Sequence, residues 1–427
     1  MKILLTGANG FIGRHLLARL VAAGHEVMPA VRHLEETDRL LPKPTSIRVD
    51  LNRDTTPETW LPRLVGIDAV VNCAGVLQGS HKQKIAAIHA EAPIALFRAC
   101  AAAGVRRVIQ ISAISAVDGA GTAYAASKKE ADDFLAASGD TLDWIVLRPS
   151  LVYARGAYGG TALFRALAAL PLMIPLVGSG QQVFQPLHVD DLADTVLRAL
   201  ETPSLRGVII DPVGPEQLTL HRILTDLRRW LGYAPVPTLA LPLWLIAAVA
   251  CIGDLLGGTI NTTALKQLQF GNAGDVAAFT AATGIRPRRW SDALLAEPAQ
   301  LQDRWHARLY FLRPLLRLAI AATWIVSGIV GLISEAALAQ SVKLFGTGVS
   351  VLAMDTTCLA DIAIGLLVLR RWRPVSMAAV QTLLVVAYTA FLTGAEPSLW
   401  LEPFGPLLKN IPFAAAVLML AAIEVER

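Results

Sequence analysis

The chain has 427 residues, too many for one ordinary domain, so two or three are expected. Hydrophobic residues make up 54% and charged residues 17%, which argues against a wholly soluble enzyme and puts part of the chain in lipid. A net charge of only +4, with no basic run, excludes a chain that tracks nucleic acid.

In chain order, Ile3 to Leu5 reads as a buried parallel strand, followed by Gly7, Gly10 and Gly13 at three-residue spacing. His15 to Ala23 carries Leu16, Leu17, Leu20 and Val21 at helical spacing. A strand, a glycine turn and a helix bring backbone close to a pyrophosphate and aim the helix N-terminus at its charge. The turn residues Gly7, Asn9, Gly10, Phe11, Ile12 and Gly13 are therefore expected to bind a nucleotide.

Glu26 to Val31 reads as the second strand, ending at Arg32. An acid at this place holds the ribose hydroxyls of NAD, whereas a base favours the 2′-phosphate of NADP. Arg32 therefore points to NADP, with NAD as the alternative and a solvated surface arginine as the plain reading. Ser46 to Val49 is the third strand, closed by Asp50 and Leu51, and Asp50 is expected to accept from the adenine amino group. Ala69 to Asn72 is the fourth, closed by Cys73, Ala74 and Gly75, where a small backbone passes beneath the cofactor. Ile85 to Ala103 is a helix ending at Gly104, and Arg107 to Ser112 is the fifth strand. Strands alternating with helices imply a parallel, doubly wound α/β sheet with its ligand at the carboxyl ends of the strands.

Tyr124 and Lys128 open the next helix, four apart on one face. A lysine ammonium near a phenol favours phenolate and lowers its pKa. A tyrosine tuned in this way passes a proton to or from a substrate oxygen as hydride moves. Leu142 to Leu147 is the sixth strand, and Pro149 and Ser150 after it are expected to line the nicotinamide end. Residues 151–240 should face the substrate, and their mainly apolar lining from Ala162 to Phe184 fits a hydrophobic ligand. Leu163 to Ala169 reads as helix, and Asp190 and Asp191 as the cap of the helix that follows His188. His188 reads as structural rather than as a catalytic base.

Thr6-Gly-Ala-Asn-Gly-Phe-Ile-Gly13, Asn72-Cys-Ala-Gly75, Tyr124-xxx-Lys128, Leu147-Arg-Pro-Ser150 and Leu187-His-Val-Asp-Asp191 resemble, in order, the motifs of the extended short-chain dehydrogenase/reductases. The resemblance covers residues 1 to about 300. It is strongest to the atypical branch that includes the NADPH-carrying accessory subunit of respiratory complex I. It implies a Rossmann fold, a bound nicotinamide nucleotide and a Tyr–Lys pair beside the nicotinamide, without by itself implying turnover. The family's active-site Ser or Thr falls between Ser112 and Ser115, at Ala113 or Ile114 by position, so Ser112 and Ser115 are both candidates. His89 stands where extended members carry Asn; it either orients the lysine or is an ordinary helix residue.

Cys73, Cys100, Cys251 and Cys358 lie far apart with no CxxC spacing, so neither a metal site nor a disulfide framework is expected and the compartment is reducing. The N-terminus runs directly into a strand, so no secretory signal is expected. Leu243 to Ile252 is apolar but too short to span, and reads as a membrane-surface or domain-packing helix. Four apolar stretches follow, at about Leu312–Ser334, Gly348–Leu369, Pro374–Gly394 and Leu407–Ile423, each near the ~20 residues that cross a bilayer. They resemble the DoxX-like four-helix membrane domains of bacterial redox proteins. Arg313, Arg317, Arg370, Arg371 and Arg373 then place the nucleotide domain and both termini in the cytoplasm, on the bacterial inner membrane. Asp355 and Asp361, in or at the edge of the second span, are candidates for a proton or quinone site.

The expectation is an α/β Rossmann domain over 1–300 with a small substrate-side part, followed over 308–427 by an all-α four-helix bundle. Its function is that of a membrane-anchored NADP(H)-dependent oxidoreductase acting on an apolar, quinone or lipid-like substrate. The alternative is a non-catalytic NADP(H)-binding module of a membrane redox complex; an epimerase or dehydratase comes third.

Overall fold

The computed structural model describes residues 1–36, 45–79, 83–156, 158–334, 339, 347–403 and 405–424, and the side chains of residues 256, 347–351 and 353 are outside that description. The extreme C-terminus expected in the cytoplasm lies outside the described residues. The chain divides into two compact units, Met1–Ala307 and Arg308–Arg427.

The first unit is built on seven parallel strands: β1 (Lys2–Thr6), β2 (Glu26–Val31), β3 (Ile47–Arg48), β4 (Ala69–Asn72), β5 (Arg107–Ile111), β6 (Asp143–Leu147) and β7 (Val208–Ile210). Their spatial order is β7-β6-β5-β4-β1-β2-β3. Ile3 pairs with Val27 of β2 on one side and Ala69 of β4 on the other. The order reverses between β1 and β4, so the crevice beyond their carboxyl ends is where ligands bind in such sheets.

Alternation along β1 explains both layers of the core. Ile3 and Leu5 pack with Leu16 and Leu20 of α1 (Phe11–Ala22) and with Leu192 and Val196 of the helix Val189–Glu201. Leu4 points the other way, to Leu96 and Phe97 of α2 (Ala92–Ala103) and Leu135 of α3 (Ala123–Ala137). Strands covered on both faces read as unbroken apolar runs, which is why β1, β4 and β6 were visible in the sequence.

Three details differ from expectation. The third strand is only Ile47–Arg48, and the three-residue β7 was not anticipated. The helix expected over Ile85–Ala103 is interrupted by a wide turn at Ala87–Glu91 before α2 begins. Pro93 has no N–H to offer the carbonyl of His89, so the chain widens there instead of continuing a regular ladder. Gly104 closes α2 in the left-handed region, as expected, with φ +76°.

The substrate-side part has its own core, including Tyr153, Phe164, Ile174, Leu176, Ile223 and Trp290. Strand Ile174–Val177 pairs in parallel with Thr238–Leu241, directly before the helix Leu243–Leu256.

The second unit contains the helices Thr347–Leu369, Pro374–Ala395 and Asn410–Ile423 together with the long helix that starts at Leu301 and ends at Ile333. Leu301–Ile333 and Pro374–Ala395 are long and apolar enough to cross a membrane. Asn410–Ile423 has 14 residues, about 21 Å of helix, short of the ~30 Å hydrocarbon core. Glycines let these helices meet at backbone distance: a Cβ on Gly328 would lie 2.5 Å from the Cys358 carbonyl oxygen, and one on Gly365 would lie 2.8 Å from that of Ala321. Two buried polar pairs cross between elements, Trp324 Nε1 donating to Gln381 Oε1 at 2.9 Å and Arg317 pairing with Glu424. Asp355 is exposed, while Asp361 is half-buried and its Oδ1 has no hydrogen-bond partner among the described residues.

Candidate functional site

The glycine turn follows β1 directly. Gly7 adopts φ +66°, and a Cβ there would lie 2.8 Å from the Cys73 carbonyl oxygen. The chain therefore turns in contact with the loop that leaves β4. Gly13 sits inside α1, where a Cβ would lie 2.0 Å from the Gly7 carbonyl oxygen. Only a bare Cα lets the helix pack so closely onto its own turn. Gly10 caps α1 without a side-chain hydrogen bond, and the first turn carries no acid. The first N–H groups of a helix are left without helical partners and its dipole favours an anion, so this end is chemically suited to a phosphate. Asn9 is exposed beside it and its carbonyl accepts from Arg14 Nε at 2.9 Å. Phe11 stacks parallel to Tyr158, ring centroids 6.1 Å apart, and Ile12 is half-buried beneath.

At the edge of β2, Arg32 Nε lies 3.9 Å from Asp50 Oδ1. Asp50 is also engaged by its own loop: Oδ1 accepts from Asn52 N at 3.1 Å, and Arg53 Nε lies 3.8 Å from Oδ2. Leu51 is half-buried beside it. Arg32 and Asp50 are thus brought together as an ion pair, with the arginine side chain 37% exposed.

The chemistry-bearing residues converge on α3. Thr122 caps it, accepting from Ala125 N at 3.1 Å, and so fixes the first turn that carries Tyr124. Tyr124, Lys128 and Asp132 follow at four-residue intervals on one face. Lys128 is buried, and its Nζ donates to the carbonyls of Ala74 (3.1 Å) and Ile111 (3.0 Å), tying α3 to the ends of β4 and β5. A Cβ on Gly75 would lie 3.2 Å from that Nζ and 3.5 Å from His89 Nε2, so Gly75 keeps this spot clear.

His89 reaches the site from the widened turn. Its Nε2 accepts from Val76 N at 2.9 Å, which leaves the ring proton on Nδ1 to donate to Ser127 Oγ at 3.0 Å. Ser127 Oγ in turn donates to the Tyr124 carbonyl at 3.0 Å. The His89 ring meets the Tyr124 ring edge-on at 5.3 Å. Of the two readings of His89, the structure supports a positioning one: it holds the Gly75–Val76 loop and the first turn of α3 together.

Burial sets the ionisation here. It pushes the Tyr124 phenol up to about 12, and the Asp132 carboxylate adds to the shift. This corrects the expectation that Lys128 lowers the phenol's pKa: desolvation of the ring outweighs the ammonium, which is directed at two carbonyls. Burial lowers Lys128, opposed by Asp132, and raises the Cys73 thiol to about 12. Burial, with help from the Lys128 charge, lowers His89 to about 2.

That shift has a sign. Unfolded, His89 titrates near 6.5, so below this pH the unfolded chain binds the extra proton and the folded chain resists it. Stability is expected to be level above about pH 6.5 and to fall by about 2 kcal/mol at pH 5 from this group. Thermal melts of wild type and His89→Asn at both pH values check it, the variant losing less on acidification.

Ser112 is buried, and its Oγ donates to Asp132 Oδ2 at 2.8 Å. Arg148 Nε donates to the same oxygen at 2.8 Å, and Asp132 is fully buried. The structure thus gives Ser112 a place in a carboxylate–guanidinium cluster behind Lys128. Ser115 is buried nearby, its carbonyl accepting from Val117 N at 2.8 Å. Asp132 was missed from the sequence, although its spacing from Tyr124 and Lys128 was the available signal. Asp132→Ala strands Arg148 beside a cavity and is expected to cost about 3–5 kcal/mol, read as a lowered melting temperature. Asp132→Asn, which keeps the shape, should cost less.

Beyond β6, Pro149 and Ser150 are buried; the Pro149 carbonyl accepts from Ile114 N at 3.1 Å, and Ser150 Oγ donates to the Gln185 carbonyl at 2.5 Å. His188, rather than Asp190 or Asp191, caps the following helix, its Nδ1 accepting from Asp190 N at 3.3 Å. Asp191 instead holds Arg288, accepting from its N at 3.0 Å and its Nε at 2.9 Å.

Comparison with known proteins agrees with this architecture. Residues 3–209 match the NAD dependent epimerase/dehydratase family and residues 321–418 the DoxX-like family. An uncharacterized protein of Mycobacterium tuberculosis is 28% identical over 229 residues, which cover 54% of this chain and 23% of that protein. This chain thus spans less than a quarter of that relative's length. The ceramide reductase of Caulobacter vibrioides is 26% identical over 235 residues, 55% of this chain and 71% of its own. Among solved structures, a double mutant of DesIV, the dTDP-glucose 4,6-dehydratase of Streptomyces venezuelae, with NAD and DAU bound, aligns with a TM-score of 0.55. It shares 21% identity, covering 72% of this chain and 97% of that one, which is a likeness of fold. The chain joins an N-terminal NAD-dependent epimerase/dehydratase domain of the extended short-chain dehydrogenase/reductase kind to a C-terminal DoxX-like domain.

Proposed function

We propose that this protein is a membrane-bound NADP(H)-dependent reductase of an apolar carbonyl substrate. The observation that carries the reading is Tyr124: a neutral phenol, held by Thr122 and Ser127 on the face that also carries buried Lys128.

The nucleotide's pyrophosphate would sit on the turn Gly7–Gly13 and the open N-terminus of α1, with Asn9, Phe11 and Ile12 around it. Arg32 would take a 2′-phosphate, exchanging its long contact with Asp50 for a dianion, which favours NADP over NAD. Asp50 and Leu51 would border the adenine. Cys73, Ala74 and Gly75 would pass beneath the nicotinamide, Lys128 would hold its ribose, and Pro149 and Ser150 would close the far side. The bound nucleotide supplies a hydride. Tyr124 would donate the phenolic proton to the substrate oxygen as negative charge grows there, while Lys128, tied to the Ala74 and Ile111 carbonyls, would hold the helix and the loop after β4 in place around it. A phenol raised to about 12 is protonated at neutral pH and so has a proton to give to a substrate oxygen.

A relative named ceramide reductase supports an apolar substrate; the apolar residues around Phe164 and Phe184, read from the sequence as a substrate lining, are instead packed in the core of their own part. The second unit would anchor the protein in several passes in a bacterial inner membrane, with its arginines and the nucleotide unit on the cytoplasmic side. Mixing the purified full-length protein and NADPH with ubiquinone and long-chain ketones tests this: NADPH absorbance falls with wild type and stays with Tyr124→Phe.

A second reading has its own observation. Ser112, the candidate for a substrate-oxygen partner, donates to Asp132 instead. A site lacking that partner suits a module that holds NADP(H) within a membrane redox complex without turning it over. NADPH that binds tightly and never oxidises would mark that case.

A further inference from the structure

The helix Leu243–Leu256 is apolar throughout except for Asp254, yet it is one of the most exposed helices of the first unit. Trp244 is 72% exposed, Ile252 58% and Leu255 86%, whereas Ala250 is fully buried. An apolar helix left open on most of its circumference is not explained by the core of its own unit. It forms a hairpin with the helix Thr262–Phe270, and the loop between them folds back so closely that a Cβ on Gly253 would lie 1.7 Å from the Ile260 carbonyl oxygen.

The hairpin is clipped to the candidate site on two sides. Asp254 Oδ1 accepts from Gln78 Nε2 at 2.9 Å, and Gln78 lies three residues after Gly75. Gln267 Nε2 donates at 2.7 Å to Thr122 Oγ1, the cap of the helix that carries Tyr124. The one acid of the apolar helix is exposed but engaged, accepting from Gln78 and from Thr262 N, and the apolar side chains beside it lie next to the elements that carry the candidate site.

We infer that the hairpin Leu243–Phe270 lies in the interfacial layer of a bilayer and forms the lip of the site, so that the substrate is a long-chain amphiphile taken directly from lipid. This rests on the membrane-bound reductase reading. The chain itself supplies the occupant: after the hairpin it runs on to Leu301–Ile333, a helix long and apolar enough to span, so the first unit is tethered to lipid by covalent continuity. Helices lying in the interface bury an apolar face a few ångströms into the headgroup boundary, with Trp anchoring them at that depth. The two clips make the hairpin's position a determinant of how Tyr124 is reached.

The probe is native Cys251, on the exposed side of this helix; Cys100 and Cys358 are buried and Cys73 is half-buried. The full-length protein, in nanodiscs of phosphatidylethanolamine and phosphatidylglycerol, carries a nitroxide on Cys251. Cys251→Ala gives the background, and a label on Val65→Cys, at a residue 80% exposed, reports water. The expected result is that molecular oxygen relaxes the Cys251 label at least several-fold more, relative to a water-soluble nickel chelate, than it does the Val65 label. Equal relaxation by the chelate at both places overturns the proposal. So does shielding from both reagents, which would mean that protein, not lipid, covers the helix. The double variant Trp244→Ser, Leu255→Ser is expected to bind NADPH as wild type and to raise KM at least tenfold for a bilayer-embedded ketone but not for a short soluble one. A protein that never turns over would sink the reductase reading and leave the depth measurement standing.

Discussion

Tyr124→Phe is expected to lower the rate of NADPH oxidation by about 100- to 10,000-fold while leaving the NADPH dissociation constant within a few-fold. The substitution removes one oxygen from a half-buried ring and keeps its edge-on contact with His89, so the fold has little reason to respond. What is lost is the proton that meets the substrate oxygen. Steady-state kinetics and a nucleotide-fluorescence titration on the same preparation separate the two effects. A fall in affinity equal to the fall in rate would mean that the ring packs against the cofactor and does no proton transfer. Lys128→Met should differ: its ammonium ties α3 to the Ala74 and Ile111 carbonyls, so both binding and melting temperature should fall.

Gly13→Ala is expected to abolish nucleotide binding, weakening it by at least about 100-fold, or ~2.7 kcal/mol. The added Cβ would stand 2.0 Å from the Gly7 carbonyl oxygen, a backbone atom that cannot swing aside. Either α1 tilts or the turn opens, and each moves the helix N-terminus away from a pyrophosphate. Overpacking adds about 1–3 kcal/mol of destabilisation. Gly10→Ala is the informative companion, because its Cβ would meet the Gly7 carbonyl oxygen at 3.1 Å and needs only a small shift. Titration with NADPH should rank wild type above Gly10→Ala, and Gly10→Ala above Gly13→Ala.

How much of this could be read from residues alone follows from the range of the interactions. The unit β1–turn–α1 was legible because every constraint in it is local: an apolar run, three glycines and a helical repeat. The pair Tyr124–Lys128 was legible for the same reason, being one turn of one helix. Asp132 extends that pattern by another turn, but its meaning depends on Arg148 at the end of a different strand and on Ser112 across the sheet. Spacing does not report such pairings. The widened turn at Ala87–Glu91 has a local cause in Pro93, yet its effect, turning His89 toward Val76 and Ser127, is a tertiary one. His188 takes the cap because the helix begins at Val189, which puts both acids inside its first turn, where Asp191 is engaged by Arg288, 97 residues away. The direction of the Tyr124 shift was misjudged because a phenol next to a lysine in sequence terms is, in the fold, a phenol removed from water.

The apolar stretches show the reverse. Length and composition found the four long helices among the described residues of the second unit, but Asn410–Ile423 is shorter than its apolar run because Leu407 and Leu408 lie in turns before it. The helix Leu243–Leu256 looked too short to span, and it ends at Gly257, whose φ of +66° closes it in the left-handed region.

The most direct test of the central claim is to follow the hydride. The full-length protein, in bilayers of bacterial lipid extract, is given NADPH deuterated at the transferable position, and both the lipid extract and the aqueous phase are examined by mass spectrometry. The account predicts deuterium in a lipid-phase alcohol with wild type and none with Tyr124→Phe. Deuterium in a water-soluble product, or none in either phase while NADPH stays bound, would contradict it.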